Sequence, residues 1–319
     1  MAVAGKKRQP ILNQYAGQNW TTELFSRLIG KSGLQQMKPA IHYLPSADNS
    51  TWKDGISKDD QLPTRDSGVW IERKHKPLVY YSEIFNQAMK DKPWDERIYF
   101  ELFAGPGRCF VRETHKEELG SPLQVLGTNF TKFIFVEMNK DAAEALATRI
   151  DGHPNASKVD IWCGDCAEAI EKIKIPARSL TFTFIDPTRI GHAPFKLIST
   201  LEAKARSDIL VNIPTGTDIK RNLHNHLARS DPGAPLTKYL DSDEWKKIPT
   251  NSPSNFCRGF LKLYEAQLRK IGYNFVGNIQ QVTTPGNVPL YHLFFASKHQ
   301  LGEKFWNETL KRVNEPELF

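Results

Sequence analysis

The run Ile98-Tyr99-Phe100-Glu101-Leu102-Phe103, closed by Ala104-Gly105-Pro106-Gly107-Arg108, constrains this chain more than any other stretch. An apolar, aromatic run of strand length ending in glycines reads as the buried first strand of an α/β sheet. Glycine reaches backbone angles that a side chain forbids and lets the main chain approach a ligand closely. Glu101 places an acid inside this strand, two residues before its end. Two common phosphate-binding turns are excluded: the dinucleotide turn would need glycine where Phe110 stands, and a P-loop would need Gly-Lys-Ser/Thr, which does not follow. A glycine turn in an arbitrary α/β protein is the bland alternative, and the residues downstream decide against it.

Downstream, apolar runs alternate with helical spacing. Strands are expected over 133–137, 159–162, 180–185 and 208–213, and helices over 122–127, 141–150, 167–173 and 194–204. Upstream, Leu78, Tyr81, Ile84, Phe85 and Ala88 recur at helical spacing. They predict an amphipathic helix over 77–90, opening with Pro77 and lidding the ligand end of the sheet. A helix over 261–271 stops at Gly272, and strands over 275–282 and 290–297 flank Thr-Pro-Gly-Asn, a hairpin turn. Strands alternating with helices imply a mostly parallel sheet covered on both faces. Five parallel strands plus the hairpin make an α/β, Rossmann-like, seven-stranded sheet.

Three units are expected: an N-terminal extension, 1–73; a core, 74–213 with 258–319; and a cap, 214–257, inserted after the fifth strand. The extension is polar, with a basic cluster Lys6-Lys7-Arg8, a short helix over 20–28 and a loop over 48–67. Residues 109–120 carry alternating charge without a period. The cap shows little strand signal over roughly 45 residues, and loops of that length are usually functional. Both the cap and residues 1–90 are expected over the carboxyl-end face of the sheet. No run of about eighteen apolar residues exists, so no membrane span is expected. The start lacks an apolar signal core, which places the protein in the cytoplasm. Four cysteines in 319 residues do not make a disulfide framework. A formal charge of +7 favours an anionic partner, nucleic acid first, although many soluble enzymes carry a similar excess.

Ligands of open α/β sheets sit outside the carboxyl ends of the strands. Glu101, Glu137, Asp165 and Asp186 all fall at or near those ends. Any one of them is explained by ordinary strand-end polarity; four in register with a glycine turn are harder to dismiss. Glu137 ends the second strand, where an acid can accept both hydroxyls of a ribose. Its distance from Gly107 exceeds the usual ~20 residues, which the insertion over 109–120 explains. Cys163-x-x-Cys166 has the spacing of half a zinc site or a redox pair, but no second pair exists and Cys109 and Cys257 are isolated; no metal is expected. His224-x-His226 in the cap reads as surface or phosphate contact. Lys220, Arg221, Arg229, Lys238, Lys246, Lys247 and Arg258 interleave there with Tyr239, Trp245 and Phe256. Such a face suits stacked nucleotides, and equally a solvated cap with its own small core.

An acid, an apolar pair and a glycine turn resemble the opening of class I S-adenosylmethionine (SAM) methyltransferases. The ordered set Lys74-His75, Phe100 to Gly107, Gly120-Ser121-Pro122, Glu137, Gly164-Asp165 and Phe184-Ile185-Asp186-Pro187 resembles more narrowly the three-Cys-motif partner protein family. The resemblance covers roughly 74–297 and leaves 1–70 unexplained. It implies SAM as cofactor, with Phe103, Ala104, Gly105 and Gly107 beside its methionine part, Glu101 on the ammonium directly or through water, Glu137 on the ribose, and Gly164-Asp165 at the adenine. It further implies a partner protein bearing three cysteines. Asp186-Pro187 matches the start of the acceptor motif of amino-group methyltransferases, and Asp186 would orient or deprotonate the acceptor. Thr188 and Arg189 replace that motif's proline and aromatic. Asn212-Ile213-Pro214, after the fifth strand, is a second partial match or simply a strand-ending turn. The expectation is an enzyme that moves the methyl of SAM to nitrogen or oxygen, with Arg189, Asn212, Lys246 and Lys247 meeting the substrate. A small-molecule or peptide methyltransferase and a non-catalytic subunit of the same fold are the alternatives.

Overall fold

The computed structural model describes residues 38–229, 231–277 and 279–314. The helix expected over 20–28 and the cluster Lys6-Lys7-Arg8 lie outside them. The chain opens with three short strands, β1 (Ala40–Tyr43), β2 (Gly55–Ile56) and β3 (Pro63–Ser67), then α1 (Ile71–Met89). The first long strand, β4 (Glu96–Leu102), leads into β5 (Arg108–Val111), β6 (Lys116–Leu119) and α2 (Ser121–Leu126). Regular alternation follows through β7 (Lys132–Glu137), α3 (Lys140–Ile150), β8 (Val159–Cys163), α4 (Cys166–Lys172), β9 (Ser179–Ile185), α5 (Lys196–Lys204) and β10 (Arg206–Ile213). The cap holds a π-helix (Thr215–Lys220), α6 (Leu223–Leu227) and α7 (Pro235–Leu240). The chain then runs through α8 (Pro253–Lys270), β11 (Phe275–Val276), β12 (Gln280–Thr283), β13 (Pro289–Ser297) and α9 (Gln300–Asn314).

The main sheet has the order β1-β8-β7-β4-β9-β10-β13-β11, with β12 also on β13. The pairs from β1 to β10 are parallel, and β13 runs antiparallel to β10, β11 and β12. The fold is α/β with a mostly parallel central sheet. Chain order reverses at the β4–β9 neighbour pair, so the crevice outside the carboxyl ends of these two strands is the place for a ligand.

Nine strands replace the seven expected. One addition is β1, paired in register from Ala40↔Asp160 to Tyr43↔Cys163. The other arises because 275–282 breaks into β11 and β12. At Gly277, between them, a Cβ would lie 2.2 Å from Trp306 Cδ1, so the chain is pressed against that ring. A second sheet, β2-β3-β5-β6, is built from residues expected to be unstructured, 48–67 and 109–120. Its strands are short and polar, and strand preference is mostly side-chain packing, so the sequence carries little signal for them. Arg149, 5 % exposed, pins this sheet to the core: it bonds Asp60 and the carbonyls of Pro63 and Pro106.

Alternation sorts the core into two layers. Phe100, Leu102, Ile134, Val136, Ile185 and Val211 face α4, α5, α7 and α8; Tyr99, Phe133, Phe135, Phe182, Leu210 and Phe295 face α1, α3 and α9. Helix α1 starts at Ile71, not Pro77, which sits inside it. The missing proline N–H argues for a boundary there, but burial of Ile71, His75, Leu78, Tyr81, Phe85 and Met89 along one face overrides it. Of the three expected edges, 73/74 falls inside α1 and 257/258 inside α8, while 213/214 falls at the end of β10. Tyr239, Trp245 and Phe256 are fully buried in the same layer as Phe195 and Ile209, so these cap aromatics are core and not stacking platforms. Among the described residues no helix is long and apolar enough to cross a membrane.

Candidate active site

The turn after β4 is held in a conformation few sequences tolerate. Phe103, Gly105 and Gly107 have φ of 69°, 68° and 88°. For a bulky residue such as Phe103 that angle costs about 1–3 kcal/mol, and strain of this kind persists where surrounding structure fixes it. At Gly107 a Cβ would press on Leu146 Cδ1 at 2.9 Å; at Gly105 it would meet nothing within 4 Å, because the backbone there borders open space. The turn is tied down by Ala104 N–H donating to the Val136 carbonyl and Gly105 N–H donating to Glu137 Oε2, at 2.9 and 2.8 Å. Asn139 N–H donates to Glu137 Oε1 at 2.9 Å. Glu137 is buried yet lines the cleft.

That cleft, about 800 Å³, opens over the β4–β9 switch. Of the residues expected at the site, Phe103, Ala104, Gly105, Gly107, Glu137, Gly164, Asp165, Asp186, Pro187 and Asn212 line it. Residues 48–75 and 214–238 contribute Asp48, Arg65, Trp70, Lys74, Pro214 and Lys238 to its walls. Four of the expected residues are elsewhere. Glu101 lies beneath the floor. Arg189 lines a neighbouring cavity. Lys246 and Lys247 line neither; on a short helical turn they pair with Asp243 and Glu244 of that same turn.

Glu101 is fully buried, its Oε1 lying 2.5 Å from Ser121 Oγ and its Oε2 2.7 Å from the Tyr99 hydroxyl. Burial pushes its pKa up to about 8, against the pull of those two hydroxyls. The neutral acid therefore dominates at pH 7, and it touches the cleft only through Ser121, which lines it. Ser121, and not Glu101 itself, faces the cleft where an ammonium was expected. Asp165 caps α4, its Oδ1 accepting from Ala167 and Glu168 N–H at 2.8 and 3.2 Å.

Asp186 is anchored from both sides. Lys74 Nζ lies 2.5 Å from its Oδ2, and Asn212 Nδ2 donates to its Oδ1 at 2.6 Å. Burial works against the Lys74 charge, but the Asp186 carboxylate overcomes it and raises the lysine pKa. Both Asp186 oxygens are thus held, one by an ammonium and one by an amide. The bond to Asp186 fixes which way the Asn212 amide points, and leaves Asn212 Oδ1 buried without a hydrogen-bond partner. Beside this group, burial lowers the pKa of His75 to about 3, and its Nδ1 accepts from Gln124 Nε2 at 2.8 Å. His192, also on the wall, is held below the usual histidine range by burial and by Arg189. Both imidazoles are neutral at pH 7.

Cys163 and Cys166 pack into opposite core layers. Burial raises both thiols, Cys163 to about 11, so neither is a ready thiolate for metal or redox chemistry. Among the described residues no acid, histidine and cysteine cluster could hold a metal ion. His226 is buried, not on the surface as expected, and its Nε2 lies 3.2 Å from Asp218 Oδ1. Sequence reasoning assigned no task to Lys74, Ser121, Asn139 or His192. Lys74 and Ser121 stand in the motifs that carry the resemblance, Lys74-His75 and Gly120-Ser121-Pro122, whereas Asn139 and His192 carry no such signal.

No family model matches this chain, and no curated protein does. Among solved structures, a protein from Legionella pneumophila aligns with 78% of this chain and 94% of its own at 13% identity and a TM-score of 0.48. An O-methyltransferase from Bacillus cereus in complex with SAH aligns over 74% and 84% at 13% identity and 0.40. An O-methyltransferase from Streptomyces achromogenes in complex with SAM aligns over 70% and 79% at 11% identity and 0.39.

Proposed function

We propose that this chain is a SAM-dependent methyltransferase acting on a nitrogen or oxygen nucleophile. One observation carries the reading: the buried Glu137 carboxylate, ending the strand beside β4, is bonded to the Gly105 N–H of a strained glycine turn at the sheet's switch point. The donor set fits the cofactor. Each Glu137 oxygen takes one backbone N–H and keeps a lone pair for a ribose hydroxyl. Asp165 caps α4 through Oδ1 alone, leaving Oδ2 for an adenine amine. The open space at Gly105 admits the methionine portion, and Ser121, supported by Glu101, offers a hydroxyl beside it.

When bound, SAM supplies a methyl group already activated by its sulfonium. The protein's task is positioning, by which oriented groups remove several kcal/mol of a barrier. Asn212 and Asp186, bonded to each other, both line the cleft and together orient the acceptor there. Asp186, locked by Lys74, keeps the Asn212 amide from turning. His192, which also lines the cleft, takes the acceptor's proton. The reading is tested by incubating the protein with methyl-labelled SAM and separate RNA, DNA, protein and metabolite fractions. Label is expected in one fraction and lost with Asn212→Ala; SAM binding without transfer to any fraction would favour a non-catalytic subunit.

A further inference from the structure

A second cavity of about 770 Å³ adjoins the cleft, and Thr188, Gly191, His192 and Thr217 belong to the walls of both. Its own lining adds Arg189, Arg221 and Arg229. Arg229 pairs with Asp231 at 3.6 Å on the surface. Arg189 and Arg221 have no carboxylate partner among the described residues. The one acid in the wall, Asp218, is fully engaged: Asn222 Nδ2 and His226 Nε2 reach its Oδ1 and Ile190 N–H donates to its Oδ2. Those bonds hold its pKa down to about 2 in spite of burial. Asp218 thus ties the Asp186-Pro187-Thr188-Arg189 turn to the π-helix that Arg221 directly follows, fixing the two backbones that present these guanidinium groups. On the other side of that π-helix a recess of about 190 Å³ is lined by two more cations without carboxylate partners, Lys220 and Arg258. At Gly216 a Cβ would lie 2.0 Å from the Pro289 carbonyl oxygen, so the π-helix is pressed against β13 and its cations stand on a fixed support.

We propose that this cavity is the anion subsite of the methyl acceptor, and that it takes a phosphate ester through Arg189 and Arg221. The proposal rests on the methyltransferase reading and names the acceptor's chemistry. Guanidinium groups match phosphate oxygens in paired, directional hydrogen bonds, where a lysine offers only a point charge. Placement beside the wall that carries His192 puts the phosphate on the acceptor's side of the cleft, away from Glu137 and Asp165. A polynucleotide and a small phosphate ester both supply this group, and the cations Lys220 and Arg258 continue the positive track as a chain of phosphates would need.

The test titrates the full chain with a labelled single-stranded oligonucleotide and with ribose 5-phosphate, each with and without saturating SAH, in wild type and in Arg189→Glu/Arg221→Glu. The double variant is expected to weaken the phosphate probe about tenfold to a hundredfold, the loss of charge-assisted hydrogen bonds, while SAH affinity stays unchanged. Binding of the oligonucleotide alone, weakened further by Lys220→Glu/Arg258→Glu, identifies a polynucleotide. Comparable binding of ribose 5-phosphate identifies a small ester. Equal affinity of wild type and double variant for both probes, or binding of neither, overturns the proposal. Failure of SAH to bind wild type would count against the methyltransferase reading instead, since the phosphate titrations are also made without it.

Discussion

Glu101 and Lys74 have opposite fates on the two sides of the same cleft. Glu101 is raised to about 8, so between pH 4.5 and 8 the folded chain holds a proton that the unfolded chain has released. Its contribution to stability is complete below pH 4.5 and is lost as pH rises toward 8, on the order of a few kcal/mol. Glu101→Gln removes the ionisable group; denaturant unfolding should then show a flatter stability profile from pH 5 to 8 than wild type. A wild-type profile with no decline in that range would contradict the buried neutral acid. Lys74→Met strands the Asp186 carboxylate, and removing one partner of a buried pair costs about 3–5 kcal/mol. Lys74→Met/Asp186→Asn should recover much of that loss in the same unfolding measurement; no recovery would mean that the pair is not coupled. The acid at 101 was legible in the sequence, and period-2 alternation with Tyr99 even gives its face. That Ser121 would meet one of its oxygens was not, because that contact joins two separate elements, β4 and α2.

At the scale of elements, Asp165 has two duties that substitutions can separate. Asp165→Ala removes the cap of α4 and should cost about 1 kcal/mol of stability, whereas Asp165→Asn keeps a capping oxygen and should cost a few tenths. If both variants unfold at the wild-type denaturant midpoint, the cap has no energetic weight. The long elements were readable because each buries a regular face: β4, β7, β9 and β10 carry apolar runs, and α3 and α8 show clear helical spacing. The small sheet of β2, β3, β5 and β6 was not readable, since Pro-Thr-Arg-Asp-Ser and Lys-Glu-Glu-Leu carry no apolar alternation. Its stability comes from partners distant in sequence, such as Arg108 with Asp59 and Glu117. The cap aromatics stood open between a stacking face and a small core for a related reason: composition shows that basic and aromatic residues alternate, but not that the rings turn inward.

Across the whole molecule, the sheet order gathers five strand ends, a strained turn and the start of α1 into one crevice, and the cap adds a positively charged cavity beside it. The proposed proton transfer to His192 carries a pH dependence at this scale. Its pKa lies below the ordinary histidine value, so transfer should be constant above about pH 6.5 and fall as acid protonates the imidazole. A rate that falls instead toward alkaline pH would exclude a neutral imidazole as the proton acceptor. The most direct measurement of the central claim is calorimetric titration of the full chain with SAH, in parallel with NAD. One SAH site is expected, weakened by about 1–3 kcal/mol in Glu137→Ala through loss of hydrogen bonds to a charged group, with no heat from NAD. Heat from NAD and none from SAH would contradict the assignment of this cleft.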